Sequence, residues 1–233
     1  MTPNRAEVLA LVRSSPTYVA AQDKTGWIGI FGDQYIVEDP VGSRPVRSED
    51  AGALERFWDT FIAPNEIEFQ VAQDWVDGFD VIRDVTIVTT LRPGVVVETP
   101  AHLIYQTAYE DGTLSVRRMA AHWESVPVYR QLMRPTWAHV GAALSQFAHM
   151  FRTLGVGQSL QFVAAARHVG WRRKRVLLDD LATHGIPQVS KLIASGNSVT
   201  ASCMLEGTPA GVIAWFEPRS HVLVDVKIYA DLA

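Results

Sequence analysis

The sequence predicts an α+β fold, and the order of its elements is the main reason. Helical segments come first, then one short strand and one more helix, and then four strand-like segments in succession. The turns between the four segments contain Gly or Pro, in DGFD, RPG and EDGT, as is typical of an antiparallel meander. Helices grouped against one face of such a meander form an α+β layout.

The first helical segment, RAEVLALVR, stops at SSP in this interpretation. Ser15 is a candidate N-cap and Pro16 a candidate first residue of a second helix through TYVAAQ. DKTGWIGIF predicts a third helix, with Asp23 as its cap and Gly32 as its end. Together these segments predict a layer of helices that covers the elements that follow in the sequence.

The strand and helix that follow are QYIVED and SEDAGALERFWDTFI. The helix places Leu54, Phe57, Trp58 and Phe61 on one face. The meander strands are EIEFQVAQDWV, DVIRDVTIVTTL, VVVETPAHLIYQTAY and LSVRRMAAHWESV.

The pattern changes after RQLMRPTW, which divides the chain into 1–133 and 134–233. The second part begins with helical segments AHVGAALSQFAHMFRTL, SLQFVAAARHV and RKRVLLDDLATHG. Three strands then follow, KLIASGNSVTASCML, AGVIAWFE and HVLVDVKIYA. Helices followed by a meander echo the first part, so a degenerate second copy is one interpretation of this region.

Composition excludes several classes of protein. The chain has 233 residues and a net charge of −4, so we expect no nucleic-acid partner. A single cysteine, Cys203, leaves no internal disulfide and favours a cytoplasmic location. No apolar run reaches the ~18 residues of a membrane span, so no membrane partner is expected. The seven histidines lack the spacing of metal ligands, so no metal site is expected.

The segment VEDPVGS carries the main chemical signal. Asp39 lies between Glu38 and Pro40 at the end of a predicted strand. Pro40 disfavours helix at Asp39, so the carboxylate is fixed where strand meets turn. It is either a turn residue that accepts backbone N–H groups or a pocket carboxylate whose pKa is raised by burial. Glu38 should alternate to the opposite, solvent-facing side.

VEDPVGS closely resembles the strand-to-turn segment of bacterial ketosteroid isomerases. The similarity extends through GWIGIFGDQYIVEDPVGSRP, RFWDTFI, VVVETPAHLIY and RRMAAHWESV, over about residues 16 to 127. This resemblance implies the cone-shaped fold of the nuclear transport factor 2-like superfamily, which includes SnoaL-like polyketide cyclases and limonene epoxide hydrolase. The C-terminal helices and three strands would then be an extension of that fold.

The resemblance implies cofactor-free proton transfer on a steroid-like or polyketide-like ketone. Asp39 takes the place of the general base. His102, in TPAHL, takes the place of the acidic donor, as an oxyanion donor or an acid. The tyrosine donor falls on Ser15 in an ungapped alignment and on Tyr18 with a three-residue gap. A homodimer through the open sheet face is expected, unless the C-terminal region covers that face and makes a pseudo-dimer within one chain.

A register argument places the pocket wall. If Asp111 and Gly112 are the centre of a two-residue hairpin turn, His102 lies opposite Ala121 and shares a face with Met119 and Trp123. The expected ligand-contacting residues are Trp58, Met119, Trp123, Phe57 and Phe61.

Two other functions remain open at this point. One is a non-catalytic module that binds or assembles around a hydrophobic ligand. The other is a cyclase, dehydratase or epoxide hydrolase of the same fold. Epoxide hydrolysis needs an Asp–Arg–Asp arrangement, for which Arg83 and Arg118 offer no convincing match in the sequence.

Overall fold

The computed structural model describes residues 4–91, 94–133, 136–146, 148–149, 152–153 and 170–230. The expected helix SLQFVAAARHV lies outside this part of the chain, and AHVGAALSQFAHMFRTL lies partly outside it. Where the structure describes the chain, the α+β class is confirmed: helices pack on a curved, mainly antiparallel sheet, and a second sheet follows.

The first sheet has six strands in the order β2-β1-β6-β5-β4-β3. Its strands are β1 Phe31–Glu38, β2 Val46–Arg47, β3 Glu66–Asp77, β4 Asp80–Leu91, β5 Val95–Glu110 and β6 Thr113–His122. The pair β1–β6 is parallel and the other pairs are antiparallel. Its inner face packs against α1 Arg5–Ala20, α2 Lys24–Gly29 and α3 Ala53–Phe57, the last continuing as a π-helical turn through Trp58–Ile62.

The second sheet has four strands where the sequence predicted three. Its order is β10-β9-β8-β7, and its strands are β7 Val189–Ser195, β8 Ser198–Leu205, β9 Thr208–Phe216 and β10 Leu223–Ala230. The predicted strand KLIASGNSVTASCML is in fact a hairpin, because Gly196 and Asn197 form a tight turn and Ser195 pairs with Ser198. Gly196 has a φ of 57°, which glycine adopts without strain.

The helices that follow the first sheet lie at two places. The α4 helix, Ser125–Leu132, and the α5 helix, 137–146, pack beside the first sheet through a small apolar cluster. The α6 helix, Trp171–Thr183, buries Leu177 and Leu181 on the second sheet.

The second sheet covers the outer face of the first. Trp75 Nε1 donates to the carbonyl oxygen of Pro209 at 2.8 Å, and Ile213 packs with Ile82. Gly211 makes this approach possible, since a Cβ there would lie 2.6 Å from the Trp75 ring. The face through which a homodimer was expected is therefore occupied by the same chain, as in the pseudo-dimer alternative.

Pro16 does not interrupt α1, so the prediction of two helices with Ser15 as N-cap is wrong. Proline at position 16 has no N–H for the carbonyl of Val12 one turn earlier. Arg83 Nη1 takes over as donor to that carbonyl, at 3.4 Å. Arg83 itself is 1% exposed and is held by two hydrogen bonds to the carboxylate of Asp74, at 2.7 and 3.2 Å.

The cap of α2 is as predicted, and its end is not. Asp23 Oδ1 accepts from the N–H of Gly26 at 2.8 Å. The helix ends at Gly29, and β1 begins at Phe31, before the predicted stop at Gly32.

The β5–β6 hairpin keeps the predicted register only near its turn. Glu110 pairs with Thr113, as a turn centred on Asp111 and Gly112 requires. A bulge at Gln106 and Thr107 then adds one residue to β6. Beyond it, His102 pairs with His122 rather than with Ala121. One inserted residue exchanges the two faces of a strand, so the predicted face of His102 is wrong.

We expect the substitution Arg83→Met to lower the free energy of unfolding by about 3 kcal/mol. It leaves a buried carboxylate without its main partner and the Val12 carbonyl without a donor. Urea unfolding measures the loss. The control is Arg13→Met, since Arg13 also bonds Asp74 but has a side chain 62% exposed. That control should cost less than about 1 kcal/mol. Equal losses in the two variants would contradict the structural role of Arg83.

Candidate active site

A cavity of about 230 Å³ lies between the helices and the inner face of the first sheet. Most of its wall is aliphatic or aromatic. The side chains on the wall that carry a polar atom are Ser15, Trp27, Asp39, Asn65, Thr89, Thr99, Tyr105, Trp123, Tyr129 and Gln146. Such a cavity, apolar with a few convergent polar groups, is typical of a site for a small hydrophobic ligand.

Asp39 lies at the end of β1, where the chain leaves the sheet. The end of β1 is held beside β6, because Val37 pairs with Met119 in parallel register. Trp123, just after β6, donates its indole N–H to Asp39 Oδ1 at 2.6 Å. The carboxyl group thus has one defined hydrogen bond. Asp39 borders the apolar cavity and also a smaller cleft that Arg44 and Arg56 help to line.

The environment of Asp39 raises its pKa to about 6 from 3.8. Burial is the larger cause, because it removes water from the charged form. The hydrogen bond from Trp123 acts in the opposite direction and stabilises the carboxylate. The result is a carboxylate that is mostly ionised at neutral pH and is a stronger base than an exposed aspartate.

Tyr105 on β5 is the second polar feature of the cavity, and it was missed from the sequence. Its side chain is 1% exposed, and burial raises the pKa of its phenol. The Ser15 hydroxyl accepts the N–H of Trp27 at 3.1 Å, and it acts to lower the pKa of Tyr105 against the larger effect of burial. Since an indole can only donate, Ser15 keeps its own hydroxyl hydrogen for another acceptor. Tyr105 therefore stays protonated at neutral pH and keeps a hydroxyl hydrogen to donate.

The other predicted pocket residues divide into two groups. Phe57, Phe61, Met119 and Trp123 lie on the cavity wall. Trp58 does not: it is 2% exposed and packs against the ring of Trp27, with 5.6 Å between centroids.

His102 is not in the cavity, so the expectation that it shares a pocket with Asp39 is wrong. The register shift described above turns it to the outer face, where it is fully buried against the second sheet. Its Nδ1 lies 2.8 Å from Thr200 Oγ1 and its Nε2 lies 2.8 Å from Ser202 Oγ. Burial lowers its pKa to about 4. It is a neutral ring that joins two sheets, next to Asp84.

Of the two alternatives for the tyrosine donor, the structure places Ser15 at the cavity and Tyr18 outside its wall. Tyr18 packs over α2, so closely that a Cβ on Gly26 would lie 2.5 Å from its ring. The ungapped alignment is therefore the one that reaches the cavity, and it brings a serine there.

The arginines considered for epoxide hydrolysis are both elsewhere. Arg83 bonds Asp74, and Arg118 Nε donates to Glu38 Oε2 at 2.8 Å on the outer face. Glu38 thus alternates away from Asp39 as predicted, although an arginine meets it there. Among the described residues, no arginine or lysine lines the cavity.

Helices from both sides of the predicted boundary contribute to the cavity wall. Val128, Tyr129 and Leu132 of α4, before the boundary, line it, and so do Ala143 and Gln146 of α5, after the boundary. The wall thus crosses the predicted boundary at 133/134. In the described part of the chain, no cluster of three His, Cys, Asp or Glu side chains could hold a metal ion. Nor is any helix there both long and apolar enough to cross a bilayer.

We expect the substitution Asp39→Asn to stabilise the protein at about pH 8 and to leave it unchanged near pH 4. The folded-state pKa of Asp39 lies above its unfolded value, so the ionised form opposes folding, and stability is lost as pH rises through about 6. The gain is at most about 3 kcal/mol. Urea unfolding at both pH values measures it. A variant that is less stable than the wild type at about pH 8 would contradict the desolvation of this carboxylate.

Comparison with known proteins gives similarity to solved structures only. No protein-family model matches the chain, and no curated protein matches it. A ketosteroid isomerase from Mycobacterium sp. is 23% identical, with a TM-score of 0.46, over 52% of this chain and 95% of that chain. A Mycobacterium tuberculosis protein in complex with estradiol-17beta-hemisuccinate is 21% identical, with a TM-score of 0.44, over 51% and 94%.

An LEH-like epoxide hydrolase from M. tuberculosis is 17% identical, with a TM-score of 0.48, over 61% of this chain and 99% of that chain. A protein of the NTF2-like family from Streptomyces avermitilis is 13% identical, with a TM-score of 0.43, over 50% of this chain and 93% of that chain. These values describe similarity of fold and give no evidence of a shared reaction.

Proposed function

We propose that the protein is a cofactor-independent isomerase, or a related proton-transfer enzyme, that acts on a hydrophobic ketone. The observation that carries this proposal is the carboxyl group of Asp39, held by one indole N–H in an apolar cavity with a pKa of about 6. A base with a pKa near the working pH combines an ionised form with useful basicity.

In this reaction Asp39 removes a proton from the carbon next to the ketone and returns it to another carbon of the same substrate. Trp123 holds one carboxylate oxygen, which leaves the other for the substrate proton. The C–H bond that breaks leaves its electron pair in an enolate, whose charge gathers on the ketone oxygen. That oxygen needs a hydrogen-bond donor in a site without water.

Tyr105 is the donor that we assign to the ketone oxygen. It lines the same cavity as Asp39, and its buried phenol remains protonated. Ser15, whose oxygen accepts from Trp27, can turn its hydroxyl hydrogen to the Tyr105 oxygen, so that the phenol's own hydrogen can point at a ligand. His102 has no part in this proposal, because its ring nitrogens already meet two hydroxyls between the sheets.

A second candidate is a receptor that binds a hydrophobic ligand without converting it. One observation favours it: in the described part of the chain, Asp39 is the only acidic residue on the cavity wall. The protonated acid that assists the enolate in ketosteroid isomerases therefore has no counterpart there. An enzyme with a single donor would be slower, and a receptor would need none.

Turnover of a Δ5-3-ketosteroid tests the first candidate. We expect Asp39→Asn to lower kcat by about 10²- to 10⁴-fold and Tyr105→Phe by about 10²-fold. Glu38→Gln is the matched control, because Glu38 is the adjacent acid on the opposite face; its activity should stay within about twofold of the wild type. A wild type without turnover, or an Asp39→Asn variant with full turnover, counts against the enzyme.

The dependence of turnover on pH should report Asp39. We expect kcat/KM to rise with pH to a plateau above about 6, where the free carboxyl group is ionised. Trp123→Phe removes the hydrogen bond that stabilises the carboxylate, so its midpoint should move to higher pH. A midpoint that stays in place or falls would show that Trp123 does not tune this group.

Binding of an equilenin-like phenol separates the two candidates. In an enzyme with a donor at the ketone position, that donor stabilises the phenolate, so Tyr105→Phe should raise the pKa of the bound phenol. In a receptor, burial alone would raise the pKa of the bound phenol, and Tyr105→Phe would leave that pKa unchanged. Absorbance or fluorescence titration of the bound phenol gives the answer.

A further inference from the structure

The α5 helix presents an unusual outer surface. Its residues 137–146, WAHVGAALSQ, include no Asp, Glu, Lys or Arg. Trp137 is 93% exposed, Leu144 65% and Val140 45%. Their spacing of three and four residues places them on one side of the helix. Met133, just before α5, is 76% exposed. The exposed apolar strip consists of these four residues.

The strip is not the side that α5 uses within the protein. Ala142 packs into the apolar cluster with Leu91, Val95 and Val97, while Ala143 and Gln146 line the cavity. A surface helix normally turns polar side chains outward, and α5 turns a tryptophan and a leucine outward. Contiguous exposed apolar surface of this kind usually marks an interaction site.

The stretch of sequence that contains the strip carries charge of one sign only. From Ser125 to Leu178 the sequence contains eight Arg or Lys residues and no Asp or Glu. The rest of the chain has 13 basic and 25 acidic residues, so an acidic protein carries one basic region.

Several of these basic groups are exposed. They are Arg130 of α4, Arg172 and Arg175 of α6, and Arg152. Arg130 of α4 and Trp171 of α6 line the same surface cleft, and the Arg175 guanidinium lies 5.5 Å from the Trp171 ring centroid. Two others serve the fold, since Arg173 donates to three backbone carbonyls and Lys174 pairs with Glu124.

We propose that α4, α5 and the first turn of α6 form a docking surface for an anionic lipid bilayer. Trp137, Leu144 and their neighbours in the strip enter the interfacial layer, and the arginines meet the lipid phosphates. Apolar burial with a tryptophan, combined with basic residues around it, is the chemistry by which helices bind such interfaces. The sequence argument against a membrane partner concerned spanning helices, and surface docking needs none.

A bilayer fits this surface better than a second copy of the chain. Two copies facing each other through it would bring like charges together. The cavity adds a further argument, because Tyr129 and Leu132 of α4 and Gln146 of α5 line it. Docking would thus bring the apolar cavity close to a reservoir of apolar molecules. The proposal concerns the surface and does not depend on the reaction proposed above.

Vesicle flotation with the full chain tests the proposal. The probes are vesicles of phosphatidylcholine and vesicles of phosphatidylcholine with phosphatidylglycerol in equal parts. We expect binding to the anionic vesicles, weaker at high salt, and at least about tenfold weaker binding to the neutral ones. Trp137→Ser with Leu144→Ser should lower partitioning at least about tenfold, and Arg130→Gln or Arg172→Gln about fivefold each.

Matched controls come from exposed residues outside this surface. Val224→Ser alters a valine that is 63% exposed on β10, and Arg47→Gln alters an exposed arginine on β2. Both should partition like the wild type. Circular dichroism and urea unfolding confirm that each variant is folded. Absence of binding by the folded wild type overturns the proposal, and so does equal loss in variants and controls. A dimer that the Trp137 and Leu144 substitutions disperse, without vesicle binding, overturns it in favour of self-association.

Discussion

The central part of the first sheet is buried on both faces, and most of the molecule follows from that constraint. The inner face meets helices and a cavity, and the outer face meets a second sheet from the same chain. A polar side chain on either face must then find its partners within the protein. On the outer face His102 finds two hydroxyls and Asp84 finds Ser202 and Lys191. On the inner face Asp39 finds one indole N–H and a cavity.

The polar groups on the two faces differ in how much hydrogen-bonding capacity they have left for a ligand. The groups on the outer face satisfy one another, so they fix how the sheets sit and have little capacity left for a ligand. Asp39 has one partner and apolar surroundings, so its charge is only partly compensated. Uncompensated charge costs stability, and an enzyme accepts such a cost where it needs a reactive group. This difference in hydrogen-bond partners distinguishes the structural histidine, His102, from the candidate base, Asp39.

The sequence was informative where local rules decide structure. The α+β class, the Asp23 cap and the position of Asp39 at a strand end all follow from short-range patterns. It failed where distant residues decide. Arg83 supplies the donor that lets α1 continue through Pro16. A bulge at Gln106, for which the sequence carries no clear signal, reverses the faces of His102 and Tyr105. The run AHLIY did hold a clue, since a strand apolar at both alternate positions is buried on both sides.

The C-terminal half therefore covers a surface of the first half that would otherwise need a second subunit. An open sheet of this kind would expose the outer faces of β4, β5 and β6, with Ile82, Ile104 and Ala120 on them, and would need a second subunit to cover them. Here Ile213 and its neighbours cover them within one chain. The cover is independent of protein concentration, because both sheets belong to one polypeptide. The helices between the two sheets are therefore not needed as a dimer interface. Helices α4 and α5 instead close one side of the cavity, and their outer surface is apolar and basic.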